Sequence, residues 1–183
     1  MKYLFIFVIL LGLVSFWACG GGRSEVGEMA PVTEVPVSQA EPVASGASDE
    51  VFDGKRIELS VDEWRARLTG DQFDVLREEG TEPPFTGEYD KFYEDGDYYC
   101  AACHLKLFSS QHKFNSGTGW PSFFQPINAK NVTEKSDRAY GVTRTEVECS
   151  RCGSHLGHVF EDGPRPTGLR YCINSVALKF EGR

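Results

Sequence analysis

The sequence predicts an α+β protein in which strands dominate, and three observations support that prediction. The chain has 183 residues, of which 40% are hydrophobic and 25% are charged, a composition typical of globular proteins. Two amphipathic segments that are typical of short helices precede Pro83-Pro84. After these prolines the sequence changes to short aromatic and β-branched runs interrupted by glycine, asparagine and aspartate, which is the pattern of antiparallel strands.

The first 18 residues are predicted to be an export signal rather than part of the fold. An apolar run from Tyr3 to Trp17 follows a lysine, is too short to cross a bilayer comfortably and has the form of a secretory signal. The next residues, Ala18-Cys19-Gly20, resemble a bacterial lipoprotein cleavage site, at which the thiol of Cys19 receives a lipid anchor. Phe16 and Trp17 depart from that pattern, so a signal cleaved elsewhere and an uncleaved anchor helix stay open as alternatives.

Residues 19–50 are predicted to be a lipid-anchored flexible linker. From Gly20 to Glu50 the sequence has no aromatic residue and carries one basic and six acidic residues, so it cannot bury a core. Residues 51–183 then form the folded domain, which is long enough for one core. We expect the chain to be an exported, membrane-anchored lipoprotein of the bacterial cell envelope, facing the periplasm if the cell is Gram-negative.

Two short helices are predicted to open the domain. Ser60-Val61-Asp62-Glu63 fits a capping box, and Val61, Trp64 and Leu68 form the apolar stripe of an amphipathic helix. A second helix is predicted to begin at Thr69 or Asp71 and to end at Gly80. Its apolar face consists of Phe73, Val75 and Leu76.

Two C-x-x-C pairs predict a four-cysteine zinc site. Cys100-Ala-Ala-Cys103 and Cys149-Ser-Arg-Cys152 each begin the longer frame C-x-x-C-x-x-x-L, which ends at Leu107 in the first copy and at Leu156 in the second. A C-x-x-C turn directs two sulfur atoms at one point, and two such turns complete a tetrahedral zinc site that holds a fold together. Because 45 residues separate the pairs, a two-helix or multi-strand insertion must lie between them.

Disulfide bonds are the alternative for these cysteines, because exported proteins often contain them. If Cys19 is lipidated, five of the six cysteines remain, and full pairing then leaves one over. A redox-active dithiol is a further alternative, but it is expected next to a thioredoxin-like βαβ pattern, which this sequence lacks.

The remaining cysteine, Cys172, is predicted to be a nucleophile on a strand. The strand's alternation places Arg170, Cys172 and Asn174 on one face and the apolar neighbours on the other. Arg170 is expected about 6.6 Å along the strand from Cys172, where its charge would lower the thiol pKa from about 8.5. A buried, inert cysteine is the alternative. The apolar alternation shifts after Asn174, which predicts a bulge or the end of one-sided burial there.

Two histidines near the second cysteine pair are candidates for proton transfer. In an extended segment His158 shares a face with Phe160 while His155 takes the other, whereas a helical turn would bring both histidines together. Four cysteines already fill one metal site, and the sequence has no H-E-x-x-H motif for a second. An imidazole near Cys172 would suit proton delivery to a substrate oxygen.

Five motifs, in chain order, resemble those of the B-class peptide-methionine sulfoxide reductases. They are Cys100-x-x-Cys103, Ser116-Gly-Thr-Gly-Trp120-Pro-Ser-Phe123, Cys149-x-x-Cys152, His155-x-x-His158-x-Phe160 and Asp162-Gly-Pro-x-Pro-Thr-Gly-Leu-Arg170-Tyr-Cys172-Ile-Asn174-Ser. The resemblance extends over about residues 57–180 and implies two antiparallel sheets with a few helices on the N-terminal side. It is far more specific than either C-x-x-C pair alone.

The resemblance implies the reduction of the R epimer of methionine sulfoxide, free or in oxidised proteins and peptides. Trp120 and Phe160 would form the walls of an apolar pocket for the methyl group of the substrate. The Cys172 thiolate would attack the substrate sulfur, and methionine would leave Cys172 as a sulfenic acid.

The resemblance also assigns supporting roles near Cys172. His158, with His155 assisting, would protonate the leaving oxygen. Asn174 would fix local hydrogen bonds, and Arg170 would hold the thiolate form of the cysteine.

Regeneration is expected to need an external thiol. Many B-class peptide-methionine sulfoxide reductases, the family that this chain resembles, carry a second, resolving cysteine within the S-G-x-G-W-P loop. This chain has Thr118 at that position. With Cys19 lipidated or removed and four cysteines bound to zinc, no thiol is left to resolve Cys172 internally. The sequence therefore predicts a one-cysteine cycle in which a thioredoxin-like protein or a small thiol reduces the sulfenic acid.

Two other functions remain compatible with the cysteine pattern alone. One is a membrane-tethered zinc-ribbon module that binds a protein partner. Nucleic acid is not expected as that partner, because the net charge of the chain is −8. The other is a secreted disulfide oxidoreductase that uses its C-x-x-C pairs. Only the reductase predicts a single fast-reacting thiol, Cys172, beside four thiols that zinc protects.

Overall fold

The computed structural model describes residues 51–138, 141 and 143–183. The predicted export signal at residues 1–18, the lipidation site Cys19 and the rest of the predicted linker lie outside the described residues. Within the part of the chain that is described, no helix combines the length and the apolar character needed to cross a membrane.

Two short helices open the domain, as the sequence predicts. Helix α1 spans Val61–Arg67 and helix α2 spans Gly70–Glu78. Ser60 caps α1 and Thr69 caps α2, each within a complete capping box. Of the two predicted caps for α2, the protein therefore uses Thr69 and not Asp71.

The predicted apolar stripe of α1 is wrong at its first residue. Trp64 is 3% exposed and lies in the core, but Val61 is 60% exposed. The predicted stripe runs from Val61 to Leu68, but α1 has seven residues and ends at Arg67. Leu68 therefore lies outside the helix as its C-cap. The short helix therefore buries a single large side chain.

Helix α2 ends before the glycine that was predicted to end it. Glu79 is the C-cap, with a left-handed backbone at φ 58°. The N–H of Gly80 then donates to the carbonyl oxygen of Asp74 at 3.0 Å, which closes the last turn. The glycine follows the left-handed residue here and does not occupy its position.

The described residues contain nine strands in two antiparallel sheets. The strands are β1 (Gly96–Cys100), β2 (Lys106–Ser109), β3 (Lys113–Phe114), β4 (Ser122–Phe123), β5 (Val132–Asp137), β6 (Arg144–Cys149), β7 (His155–Phe160), β8 (Arg170–Ile173) and β9 (Leu178–Gly182). One sheet has the order β2-β1-β9 and the other has the order β3-β4-β8-β7-β6-β5. The predicted α+β, mostly β fold and its two sheets are confirmed.

Aromatic side chains from both sheets form the core between them. Tyr98 on β1 and Phe108 on β2 contact Phe123 on β4, with ring centroids 5.1 and 4.5 Å apart, and all three residues are fully buried. Phe108 also contacts Tyr171 on β8, at 5.9 Å. Because side chains alternate along a strand, the residue after Tyr171 faces away from this core.

The chain leaves the larger sheet directly after β8. A 3₁₀ turn at Ser175–Ala177 leads into β9, which pairs with β1 in the smaller sheet. The predicted shift in the apolar alternation after Asn174 therefore reflects a change of sheet, and one-sided burial resumes in β9, where Leu178 is buried and Lys179 exposed.

Candidate functional site

Each cysteine pair lies in a tight turn at the end of a strand. Cys100 ends β1 and Cys149 ends β6. The N–H of His104 donates to the carbonyl of Cys100, and that of Gly153 donates to the carbonyl of Cys149, both at 2.8 Å. His104 has a φ of 60° and Gly153 a φ of 64°, so the two turns share one backbone geometry.

The leucine that ends each copy of the frame C-x-x-C-x-x-x-L anchors the adjoining cysteine turn. These leucines, Leu107 and Leu156, are both fully buried, which fixes each turn to the core. Between the two turns run β2 to β6, so the insertion is of the multi-strand kind.

The sulfur atoms of Cys100, Cys103, Cys149 and Cys152 form one cluster. All four lie within 4.8 Å of one another, with Cys100 Sγ 3.7 Å from Cys152 Sγ and Cys103 Sγ 3.5 Å from Cys149 Sγ. A tetrahedral zinc ion with bonds of about 2.3 Å separates its sulfurs by about 3.8 Å, so the cluster fits that ion. A disulfide needs about 2.05 Å, and all five described cysteines are free.

Cys172 lies within a row of side chains that crosses the larger sheet. Its direct partners are Ser122 on β4 and His158 on β7, and directly paired residues in antiparallel strands share a face. The full row consists of Phe114, Ser122, Cys172, His158, Glu146 and Lys135. The predicted nucleophile therefore has a hydroxyl on one side and an imidazole on the other.

Three hydroxyl groups form a hydrogen-bonded chain beside the Cys172 thiol. Ser116 Oγ lies 2.8 Å from both Thr118 Oγ1 and Ser122 Oγ. Thr118 Oγ1 in turn lies 3.8 Å from Cys172 Sγ. Gly117 and Gly119, with φ of 73° and 91°, give the loop the left-handed backbone that brings Thr118 to the sulfur.

The acidity of Cys172 differs from the sequence prediction. Burial raises the pKa of the Cys172 thiol, and this effect exceeds the opposing influences of Thr118, Arg170 and Ser122. The sequence-based argument considered only the charge of Arg170 and omitted the cost of burying a thiolate. The thiol is consequently the resting form in the free protein.

Arg170 is engaged mainly by a carboxylate that the sequence analysis did not consider. Its Nε and Nη2 each donate at 2.8 Å to an oxygen of Asp162, a two-point ion pair that lowers the pKa of Asp162 and raises that of Arg170. Cys172 contributes to the raised pKa of Arg170 as well, but less than Asp162 does. Arg170 therefore interacts with Cys172 while it is held by Asp162.

The two histidines face each other, although their segment is extended. Their ring centroids are 5.4 Å apart. The register of β6 against β7 shifts between Val147 and Glu148, so a β-bulge rotates His155 onto the face that carries His158. The sequence predicted either a strand that separates the two histidines or a helical turn that brings them together. The segment is a strand, and the bulge nevertheless brings the two histidines together.

Each histidine has its own carboxylate partner. His155 Nδ1 lies 2.7 Å from Glu146 Oε1, and His158 Nε2 lies 3.0 Å from Asp137 Oδ2. His155 Nε2 is buried and has no hydrogen-bond partner within the described residues. Burial lowers the pKa of His158, while Asp137 opposes that shift. Nδ1 of His158 and Nε2 of His155 are therefore the ring nitrogens left for other groups.

Glu82 connects two predicted site residues, Trp120 and Asn174. Its carbonyl accepts from Trp120 Nε1 at 3.0 Å, and its N–H donates to Asn174 Oδ1 at 3.1 Å. Its carboxylate accepts from the backbone N–H groups of Ser175 and Val176, at 2.6 and 3.1 Å. Asn174 thus fixes the backbone after Cys172, and its side-chain hydrogen bonds go to Glu82 and Leu156.

Phe160 lies on the same face as the row of Cys172. It pairs directly with Arg170, whose guanidinium carbon is 4.4 Å from the ring centroid, and its ring lies 6.4 Å from that of His158. The structure thus brings Phe160, His158 and Cys172 to one surface, with Arg170 stacked on the aromatic ring.

Sequence reasoning missed the carboxylates that support the site. They are Glu82, Asp137, Glu146 and Asp162. Asp162 lies within a motif that was singled out, and Glu146 alternates with Glu148 along β6, so both had a weak signal. Asp137 and Glu82 had none, because their roles depend on contacts far apart in the chain.

Comparisons with known proteins agree with one another. Residues 68–182 match the family model described as the SelR domain. A peptide methionine sulfoxide reductase MsrB from Thiobacillus denitrificans is 60% identical over 118 residues, which is 64% of this chain and 89% of that protein. Proteins of the same name from Methanosarcina barkeri and Pseudomonas putida are 58% and 54% identical over 127 and 129 residues. These matches cover 69% and 70% of this chain, and 89% and 98% of the two proteins.

Proposed function

The chain belongs to the SelR-domain family of B-class peptide methionine sulfoxide reductases, and from that premise we propose that Cys172 reduces the R epimer of methionine sulfoxide. The observation that carries the proposal is the position of Cys172. Among the described cysteines it alone lies outside the four-cysteine cluster, and its direct neighbours across the sheet are Ser122 and His158.

The substrate methyl group binds against Trp120 and Phe160 in this proposal. Trp120 is half-buried and is held through its indole N–H, which leaves its ring face for an apolar ligand. Phe160 occupies the surface that carries Cys172 and His158. The sulfoxide oxygen then faces the two histidines.

His158 handles the proton of the reaction. If its Nε2–H donates to Asp137, Nδ1 of the neutral ring is a base that takes the Cys172 proton and then gives it to the sulfoxide oxygen. Because burial raises the pKa of Cys172 and lowers that of His158, the neutral pair persists between the two pKa values. We expect kcat/KM to be flat in that window, and to fall on the acid side as His158 gains a proton.

The chemical step balances without an outside oxidant or reductant. The oxygen leaves the methionine sulfur and becomes bonded to the Cys172 sulfur, while two electrons pass from Cys172 to the methionine sulfur. The thiol proton ends on the sulfenic acid oxygen. His155, whose Nδ1 is held by Glu146, assists by presenting its unpartnered Nε2 to the developing hydroxyl.

An external thiol regenerates Cys172. Thr118, and not a cysteine, has its side chain at the Cys172 sulfur, and the other four described cysteines lie in the four-cysteine cluster, so among the described residues no thiol is left to resolve Cys172. A donor thiol condenses with the sulfenic acid to give a mixed disulfide and water. A second donor thiol then releases the Cys172 thiol and the oxidised donor, which is a thioredoxin-like protein or a small thiol.

The four-cysteine cluster holds one structural zinc ion per chain. Cys100, Cys103, Cys149 and Cys152 would supply the four sulfur ligands, and the ion would contribute free energy of folding rather than chemistry. Two strands from different sheets, β1 and β6, end at the cluster, so an ion bound there would connect the two sheets.

The enzyme acts in the bacterial cell envelope as a lipid-anchored repair protein. The apolar run before Ala18-Cys19-Gly20 and the linker that follows it support this location. Oxidised envelope proteins would then be its clients, and the linker would let the domain reach them from the membrane.

An epimer assay tests the proposal directly. The purified domain should turn over a peptide containing methionine R-sulfoxide and leave the S epimer unchanged. Cys172→Ser should abolish turnover while the protein keeps its fold and its zinc. Equal turnover of both epimers, or full activity of Cys172→Ser, would contradict the proposal.

A further inference from the structure

Phe85 is an exposed aromatic residue in a left-handed backbone conformation. Its φ is 66°, and the residue is 62% exposed. Bulky residues are disfavoured in this conformation by steric contacts of the β-carbon, and such strain persists where the surroundings enforce it. The fold therefore maintains an unfavourable backbone while the ring stays largely in solvent.

Two hydrogen bonds fix the segment that carries Phe85 against the loop beside Cys172. The N–H of Phe85 donates to the carbonyl of Gly119 at 2.8 Å. The indole of Trp120 donates to the carbonyl of Glu82 at 3.0 Å. The segment from Glu82 to Phe85 is thus tied to the two loop residues that follow Thr118.

The ring of Phe85 lies at the edge of the reactive site. A β-carbon placed on Gly119 would be 3.0 Å from Phe85 Cδ2 and 2.9 Å from Pro84 Cβ, so both side chains cover this glycine. The preceding residue, Thr118, has its hydroxyl 3.8 Å from Cys172 Sγ. One loop residue therefore separates an exposed apolar surface from the residue that contacts the nucleophile.

We infer that Phe85 and Pro84 form a contact surface for an apolar side chain that flanks methionine sulfoxide in the client polypeptide. The inference rests on the proposed function. An extended peptide advances about 3.3 Å per residue, so a residue two or three positions from the sulfoxide reaches this surface. Neither side chain offers a hydrogen-bonding group, so the matching chemistry is apolar.

The test compares three substrates of the purified enzyme. They are free methionine R-sulfoxide, a peptide with leucine at the second and third positions on both sides of the sulfoxide, and the same peptide with serine in place of those leucines. Phe85→Asn is the main variant, because asparagine tolerates the left-handed backbone while it removes the ring. Phe85→Tyr keeps the ring, and Val61→Ser removes an equally exposed apolar side chain from α1 as the matched control.

We expect the wild-type enzyme to prefer the leucine peptide over the serine peptide by about fivefold to tenfold in kcat/KM. Phe85→Asn should abolish that preference by raising KM for the leucine peptide, with kcat and the turnover of free methionine R-sulfoxide unchanged. Phe85→Tyr and Val61→Ser should keep the preference. The ratio of two substrates does not depend on the fraction of folded enzyme, so it stays informative for an unstable variant.

Three results would overturn the inference. The first is a wild-type enzyme that does not prefer the leucine peptide, and the second is a Phe85→Asn variant that retains this preference. The third is an equal loss of kcat/KM on all three substrates in Phe85→Asn, which would indicate a structural role for the ring. A wild-type enzyme that reduces none of the three substrates would instead contradict the proposed function.

Discussion

Replacing Thr118 by valine tests how the site tunes its nucleophile. Valine keeps the shape of threonine and has a methyl group in place of the hydroxyl. That hydroxyl lies 3.8 Å from Cys172 Sγ, and it opposes the rise of the Cys172 pKa more than any other group does. A hydrogen bond to a charged group contributes about 1.5 kcal/mol at the lower end of its range, which suits this long contact. Its loss should therefore raise the Cys172 pKa further, and because about 1.4 kcal/mol corresponds to a factor of ten, the thiolate fraction below the pKa should fall by about tenfold.

The assay is the pH dependence of Cys172 alkylation by iodoacetamide in the zinc-loaded protein, followed by intact mass. Below the pKa, the alkylation rate follows the thiolate fraction and should therefore be about tenfold lower in Thr118→Val than in the wild type. Thr118→Ser retains the hydroxyl and should alkylate like the wild type. An unchanged or faster rate in Thr118→Val would refute the reasoning, because the hydroxyl would then not stabilise the thiolate.

The remaining predictions concern proton transfer, the metal, the catalytic cycle and the anchor. Asp137→Asn removes a carboxylate that raises the His158 pKa, so the acid limb of the pH profile of kcat/KM should move to lower pH. We also expect kcat to fall about tenfold or more. A shift of the acid limb to higher pH would contradict this prediction. Cys149→Ser should yield protein without zinc that is largely unfolded by circular dichroism, whereas a folded, fully active variant would show that the cluster is dispensable. One turnover without reductant should add a single oxygen at Cys172, measured by intact mass and trapped by a sulfenic-acid reagent, and an internal disulfide would refute the one-cysteine cycle. Cys19→Ser should move the protein to the soluble fraction with kcat/KM unchanged, and retention in the membrane would favour an uncleaved helix.

Local patterns predicted the parts of this protein that depend on neighbouring residues. Both capping boxes lie within four consecutive residues, and each cysteine pair lies within one turn, so the sequence contains their geometry. The convergence of the four cysteines also followed, because two turns with two sulfurs each have one simple way to complete a tetrahedral site.

Charge pairing at the site was beyond the same reasoning. Period two along β8 placed Arg170 and Cys172 on one face, but it could not indicate that Asp162 would engage the guanidinium from eight residues away. Nor could it weigh the burial of Cys172 against a nearby charge, since burial depends on the whole sheet. The sequence therefore placed Arg170 close to Cys172 but predicted the wrong direction for the thiol pKa, and it did not indicate the hydroxyls of Thr118 and Ser122.

The bulge in β7 lies between the four-cysteine cluster and the surface that carries Cys172. Gly157 lies in the bulge with a φ of 156°, and a β-carbon there would be 2.1 Å from the carbonyl oxygen of Cys172, so only glycine allows β7 to approach β8 this closely. His155, rotated by the same bulge, follows Cys152 by three residues, and the stretch between them is held by the N–H of Cys149, which donates to the carbonyl of Ser154 at 2.9 Å. The cysteine turn and the histidine that assists proton transfer are therefore joined through the first residues of β7, and β7 in turn pairs with the strand that carries Cys172.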